Sequence, residues 1–472
     1  MTRPDVVSKT LPGKGNRHVA AAVSVNVIAS ALVGLGGVLA TAYLARVIAI
    51  SDFGKVMLLL SMVTAIAIFE GQRPVIIHRV ASGNASPPAL FAASKRINVW
   101  MCGVCLCVLA GADLAGAATG LSSTAKLALY LTIPVFFSAI QYWIFLDAEQ
   151  DTVFTGLARS SMWLIIYASF ILTATLGLPL WGYALGILVA HAGLFVALRL
   201  RFDALSLPQK YASRRGTELA EGVWSPSISN IVFNACAVTI NLADRAIIGA
   251  TMGVAATGRY SGPSELCLRV TGLVRAGVLV ILPWAARLSP PNQQRYWVVL
   301  IALTMLSTGL GAVIVLLLRE PIIAVVLGPA FAGTGDLFGL FVLGGVITTI
   351  GYGCIVQLNA QGDFTTQRVL YLAGAAVLVL GSLLGAHKGN LTIVAAAFLC
   401  ARSVDLVILG MLVRKLPGDL QLRFFAITAA LVAAIACAWV YLTLAAAAAA
   451  AIACGSTYLL LNHPRGGQAD VA

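Results

Sequence analysis

Apolar runs of about 18 or more residues recur from one end of this chain to the other, and no other feature narrows its fold as much. The core of a bilayer offers a backbone no hydrogen-bond partner. A segment that enters it must bond to itself as a helix or close into a barrel. A barrel would be written in short alternating segments, which is not the pattern here. The chain is 60% hydrophobic and 10% charged, where a soluble domain is about half apolar and a quarter charged. The expected fold is all-α, a polytopic integral membrane protein of about 14 transmembrane helices. The spans fall at 19–45, 56–78, 97–117, 127–146, 159–176, 180–198, 224–249, 260–286, 296–317, 336–358, 369–386, 390–413, 424–442 and 444–461.

The formal net charge of +13 would suit a nucleic-acid partner. Lys and Arg also gather in the cytoplasmic loops of membrane proteins, which is a competing source of the same excess. With the N-terminus in the cytoplasm, most basic residues fall in inner loops and tails, among them Arg3, Lys9, Lys14 and Arg17. Topology accounts for the charge, and no nucleic-acid partner is expected. The basic start before an apolar run imitates a secretory signal. That run, 19–45, is far longer than the roughly 7–15 residues of a signal core and reads as a retained first helix. The expected location is the cytoplasmic (inner) membrane, multi-pass, with the N-terminus inside.

The nine cysteines are scattered. Cys102, Cys105 and Cys107 sit together in "CGVCLC" without His or acidic neighbours, so they read as small packing residues and no metal is expected. The five histidines, His18, His78, His191, His387 and His463, are isolated. "GLGG" at 34–37 lies inside a span and lacks the following Lys-Ser/Thr of a phosphate loop. No cofactor is expected, and no enzymatic chemistry.

The longest hydrophilic stretch is "RLRFDALSLPQKYASRRGTELAEG", 199–222, near the middle of the chain. It divides the sequence into a cytoplasmic tail, 1–18, a six-helix lobe, 19–198, a basic cytoplasmic linker, 199–223, and a second six-helix lobe, 224–413. Helices 424–461 form an appended pair. A shift of 204 residues places Asn26 on Asn230, Ser30 on Asn234, Gly54 on Gly258 and Lys55 on Arg259. Both matched helices start in the cytoplasm, so the repeat is parallel with its axis along the membrane normal. Two-lobed transporters are built this way.

The charges in "NIVFNACAVTINLADRAIIGATMGVAATGRYSGPSELCLRVTGLVRAG", 230–277, are expensive in lipid. At roughly 100° per residue, Asn230, Asn234, Asn241 and Arg245 share one face of their helix. Asn26 and Ser30 share the corresponding face of the first. Such a stripe either bonds neighbouring helices or lines a hydrated cavity between the lobes. The match between the two helices favours the cavity.

Glu70 with Arg73, Glu265 with Arg269 and Arg402 with Asp405 are three or four apart, and Asp244 adjoins Arg245. Opposite charges at helical spacing can neutralise each other. Arg275 has no such local partner and is expected to point inward and attract an anion. With it, five arginines (73, 245, 269, 275, 402) face four acids (70, 244, 265, 405), a slightly cationic lining. The planar guanidinium fork suits a phosphate.

Four stretches carry a family resemblance: "ATAYLARVIAISDFGKVMLLLSMVTAIAIFEGQRPVIIHR", "NLADRAIIGATMGVAATGRYSGPSEL", "VRAGVLVILPWAARLS" and "REPIIAVVLGPAFAGTGDLF". They resemble the polysaccharide-transporter branch of the multidrug/oligosaccharidyl-lipid/polysaccharide flippase superfamily. The family pattern has a short outer loop ending in Phe-Gly or Gly-Tyr, here Phe53-Gly54 and Gly258-Arg259-Tyr260. It also has an Asp near the outer end of helix 7, here Asp244, and a Pro closing helix 8, here Pro283. The resemblance implies two six-helix lobes in a V shape that alternate in access. It implies a polyprenyl-diphosphate-linked oligosaccharide as cargo, moved to the outer leaflet for cell-surface or exopolysaccharide synthesis, with a polymerase and export machinery as partners. Basic residues in the cavity would hold the diphosphate, with Arg275, Arg269, Arg402 and Arg73 as candidates. Glu70, Asp244, Glu265 and Asp405 would be candidates for ion coupling.

Other readings remain. A peptidoglycan lipid-precursor flippase carries a similar diphosphate. A cation-coupled drug antiporter of the same fold would want an unpaired acid in its cavity. A membrane-embedded polymerase would need a polar outer loop, whereas the longest, "REPIIAVVLGPAFAGTGD", is apolar. A purely structural membrane partner would not need a repeated polar stripe. Reporter fusions test the topology: one placed at 212 should report the cytoplasm, and an outer-side signal there would invert the whole assignment.

Overall fold

The computed structural model describes residues 12–65, 72–82, 86–114, 122–211, 224–279, 290–416 and 421. Every regular element among them is helical. The first half of the chain supplies α1 (Pro12–Val47), α2 (Ile50–Ala65), α3 (Gln72–Ser82), α4 (Pro87–Leu114), α5 (Ser123–Ala148), α6 (Thr152–Thr175), α7 (Leu180–Ala204) and the short α8 (Leu207–Tyr211). The second supplies α9 (Trp224–Thr251), α10 (Val254–Leu279), α11 (Pro290–Leu317), α12 (Arg319–Val326), α13 (Gly335–Gln361), α14 (Phe364–His387) and α15 (Leu391–Val413). The expected helices at 424–442 and 444–461 lie outside the described residues.

Among the described residues ten helices are long and apolar enough to cross a membrane: α1, α4, α5, α6, α7, α9, α11, α13, α14 and α15. Two further expected spans are described only in part, because 66–71 and 280–289 lie outside the described residues. The span 56–78 contains two described helical pieces, α2 and α3. The other, α10, carries Arg259, Glu265, Arg269 and Arg275. These are the second spans of the two halves, and their neighbours are other helices. Helix α10 packs against α1, α2, α9 and α13, while α2 packs mainly on α10 and α9. Both are walled in by protein rather than left to lipid.

Within the first half, α1 packs on α6, α6 on α7, α7 on α5, and α5 on α3 and α4. Within the second, α14 packs on α9 and α15, α15 on α13, and α13 on α10 and α11. Contacts between the halves run chiefly through α1 and α2 against α10, and through α2 and α3 against α9. Outward faces stay greasy, as with Ile28, Leu32, Leu35 and Leu39 on α1, or Val369, Leu372, Leu380 and Leu384 on α14.

Helix boundaries follow ordinary capping chemistry. The Asn390 side chain accepts from the amides of Thr392 and Ile393 to start α15, and Asp363 accepts from Thr366 to start α14. Gly362, at φ 75°, closes α13 in the left-handed region that favours glycine. Just inside that end, His78 of α3 bonds the Ala360 carbonyl and ties the first half to the last turn of α13. Three expected boundaries move. Phe53 and Gly54 lie in the first turns of α2, and Gly258, Arg259 and Tyr260 lie within α10, because the intervening loops are only two residues long. The stretch 199–223 begins as helix: α7 runs to Ala204. Helix α8 then tucks Tyr211 against Phe91, Phe145 and Phe202, with its hydroxyl donating to Glu149.

The Asn26 amide donates to the Thr152 carbonyl across α1 and α6 at 3.1 Å. A methyl at Gly156 would collide with that same amide. Asn26→Ala should cost about 0.6–2 kcal/mol, the range of an interhelical hydrogen bond in a membrane. Gly156→Leu should lower the thermal midpoint in detergent further, since it separates the helices; equal melting of the two variants would refute this packing.

Candidate functional site

The polar cluster between the halves is built outward from Arg245. Its helix, α9, leaves the side chain 1% exposed, so every donor that can must find an acceptor inside the protein. One terminal nitrogen donates to Glu265 on α10 and, at 3.2 Å, to the Ser61 hydroxyl on α2; the other donates to Ser264 at 2.6 Å. The second oxygen of Glu265 holds Arg269, one helical turn on, at 2.5 Å. Arg269 in turn donates to the Tyr167 hydroxyl on α6 and lies over the Tyr167 ring at 4.9 Å and the Trp163 ring at 6.0 Å. Space for it comes from α1, where a Cβ at Gly37 would come within 2.7 Å of the Arg269 side chain. Two guanidinium groups thus share one carboxylate where α1, α2 and α6 meet α9 and α10.

Among the described residues the other buried charges make their contacts within one half. Arg73 is bound to Asp147 at 2.6 Å, and Thr155 donates to the other oxygen of that carboxylate at 2.5 Å. The expected partner, Glu70, lies outside the described residues. The Arg73 guanidinium also sits over the Trp143 ring at 5.4 Å. In the second half Arg402 lies 3.7 Å from Asp405 and donates to the Asn241 side-chain oxygen, and Asp405 accepts from the Tyr371 hydroxyl. Asp244 does not pair with the guanidinium of Arg245. Its oxygens take the Arg245 backbone amide at 2.7 Å and the Tyr260 hydroxyl at 2.5 Å.

Of the arginines expected around a diphosphate whose side chains are described, Arg269 stands in the cluster between the halves, with Arg245 beside it. Arg402 and Arg73 are held elsewhere, and the side chain of Arg275 lies outside the described residues. Among the expected stripe residues, Asn230 and Arg245 are buried, Ser30, Asn234 and Asn241 are half-buried, and Asn26 turns to α6 instead of across to α9. A small cleft between α9, α10, α13 and α15 is lined by Asn241, Asp244, Ser264 and Thr348. It belongs to the second half alone. Sequence spacing missed Ser61, Asp147, Trp163, Tyr167, Ser264, Tyr260 and Tyr371. Trp163 and Tyr167, four apart on one face of α6, were the one local signal available.

Among the described residues no group of three or more His, Cys, Asp or Glu side chains is placed to hold a metal. The sequence finds no match among protein-family models or curated proteins. Solved structures do match in fold. The lipid II flippase MurJ in an inward closed conformation superposes with a TM-score of 0.65 at 13% identity, over 92% of this chain and 98% of MurJ. The MATE multidrug transporter DinF-BH gives 0.65 at 14% identity, over 86% and 97%. The eukaryotic MATE transporter AtDTX14 gives 0.59 at 14% identity, over 86% and 96%. The chain has the fold these flippases and transporters share.

Removing the shared carboxylate should show how tightly the cluster is balanced. Glu265→Ala leaves two desolvated guanidinium groups facing each other and should destabilise the protein by about 3–5 kcal/mol, the usual cost of stranding a buried charge. Glu265→Gln retains two acceptor lone pairs and should cost less. Thermal melts of the two variants in one detergent check the order.

Proposed function

We propose that this protein is a transporter of the flippase type. It moves a polyprenyl-diphosphate-linked oligosaccharide from the inner to the outer leaflet of the cytoplasmic membrane, for cell-surface or exopolysaccharide synthesis. Two lobes, 19–198 and 224–413, joined by the linker 199–223, would form a V and open alternately to the two sides. A polysaccharide polymerase and export machinery would receive the product.

The observation that supports this reading is the Arg245–Glu265–Arg269 cluster. Two guanidinium groups on one carboxylate leave a net positive charge where the halves meet. In the closed, empty state Glu265 serves as the internal counter-anion. An incoming diphosphate offers more acceptor oxygens and more charge than a carboxylate, and it fits the same planar forks. Arg269 can then turn from Glu265 to the cargo while its ring contacts with Tyr167 and Trp163 keep it in place. The lipid tail stays in the bilayer, where it costs nothing to solvate, so the protein need shield only the headgroup. Arg275, on the same helix as Arg269, would extend this path. Arg73 and Arg402 would then hold their own lobes together. The acids Asp244, Asp405 and Glu265 are all engaged by donors, whereas a cation-coupled antiporter would want an unpaired acid in its cavity.

A second reading, a lipid precursor of peptidoglycan as cargo, is favoured by the length of the MurJ match, 92% of this chain. It needs the same diphosphate chemistry and differs in the sugar. Reconstituted protein with a fluorescent polyprenyl-diphosphate oligosaccharide tests both. Arg269→Ala and Arg275→Ala should each lower flipping at least tenfold with expression intact, and Arg269→Lys should recover only part, having lost the fork. Full activity in both alanine variants would remove the diphosphate reading, and faster flipping of a peptidoglycan precursor would select the second cargo.

A further inference from the structure

Near one end of the bundle, where α1 finishes and α2 and α10 begin, the halves meet through bare backbone. A Cβ built on Gly54 of α2 would fall on the carbonyl oxygen of Val254 and lie 3.2 Å from the amide nitrogen of Gly258. A Cβ on Gly258 of α10 would fall on the carbonyl oxygen of Ile50. The contact is reciprocal, and the reciprocity is that of the internal repeat: the 204-residue shift takes Gly54 to Gly258 and Ile50 to Val254. Two equivalent helices therefore cross at equivalent glycines, as a two-fold axis between them requires. Glycine within a helix weakens it, so its use at both positions calls for a compensating close approach.

A second element reaches the same place. The apolar outer stretch that contains α12 and the turn Pro329–Phe331 belongs to the second half but lies on the first. Arg46, in the last turn of α1, donates to the Val325 carbonyl at the end of α12. The Phe331 ring meets Phe53 of α2 edge-on, 5.8 Å between centroids. Phe331 also sits on Gly262 of α10, where a Cβ would come within 3.1 Å of Leu327 and of the Phe331 ring. Phe53, Leu327 and Phe331 are fully buried although they lie close to the chain's turns.

We propose that the Gly54–Gly258 crossing and the strap 319–331 form one latch that closes the outer end of the passage and releases as a unit. The crossing is backbone on backbone, and the strap meets the first half through the Arg46–Val325 hydrogen bond and the Phe331–Phe53 ring contact; its Arg319–Asp336 ion pair lies within the second half. The glycines make it closable, because any side chain at either position would meet a carbonyl of the opposite helix, which cannot rotate away. The strap supplies the link that makes the two contacts cooperative. This latch is independent of which cargo passes.

Hydrogen exchange of the full-length protein in lipid nanodiscs tests it. In the wild type the amides of 52–60 and of 256–262 should exchange slowly. Gly258→Ala should speed exchange in both segments and in 319–331 at least tenfold, with α5 and α7 unchanged. Phe331→Ala removes a contact without adding a clash, and it should loosen 52–60 on α2 although the altered residue lies in the strap. Wild-type protection in Gly258→Ala, or loosening of the strap alone in Phe331→Ala, overturns the proposal. If Gly258→Ala also exposes α5 and α7, it has failed to fold and the Phe331→Ala measurement decides.

Discussion

A guanidinium that cannot reach water has to bring its counter-charge with it, and in this protein that requirement organises the interior. Neither lipid nor neighbouring leucines can solvate Arg73, Arg245, Arg269 or Arg402, so each is met by a carboxylate: Asp147, Glu265 for two of them, and Asp405. Asp147 and Asp405 are then engaged by hydroxyls from other helices, those of Thr155 and Tyr371. Because removing one partner of a buried pair costs far more than the pair itself contributes, these groups fix which helix faces turn inward. The greasy outward faces follow from what remains.

Much of the fold can be read from hydropathy alone, since a helix that meets lipid on one side must show it along its length. The pairs that follow the helical period could also be read: Glu265 with Arg269, and Arg402 with Asp405. Contacts between distant segments could not. Arg73 and Asp147 are 74 residues apart, and Tyr167 reaches Arg269 across 102; nothing in the local pattern ties them. Adjacency misled as well. Asp244 and Arg245 are neighbours, but successive residues point about 100° apart on a helix, so their side chains find separate partners. Asn26 matches Asn230 in the repeat, but nothing in the local pattern says that Gly156 offers Asn26 a berth on α6. The internal repeat itself is faint in sequence and clear at one spot in space, the reciprocal glycine crossing.

Helix association in a membrane lacks the usual hydrophobic drive, so close packing and polar bonds have to supply it. The two kinds are distributed differently here. Polar clusters sit in the body of each half and at the junction, while at the Gly54–Gly258 end the halves touch through glycine, ring edges and the Arg46–Val325 hydrogen bond. Strong, directional contacts hold helices that must stay together. Weak, short-range ones suit the parting surfaces that the proposed alternating access requires.

The junction cluster follows the same division, although its charges lie between the halves. Arg245, Glu265 and Arg269 all belong to α9 and α10, so both ion pairs are internal to the second half. What crosses to the first half is neutral: the Ser61 hydroxyl and the Tyr167 hydroxyl with its ring. Parting the halves at this level therefore breaks hydrogen bonds to hydroxyls, of order 1.5–3 kcal/mol each where a charge is involved, and strands no ion. Had Glu265 stood on α2 or α6, the same motion would have pulled opposite charges apart in a low-dielectric interior at several kcal/mol per ion. Arg73 with Asp147 and Arg402 with Asp405 repeat the arrangement, each wholly inside one half. The alternating access proposed above would need buried pairs that travel together, and each of these pairs lies within one half.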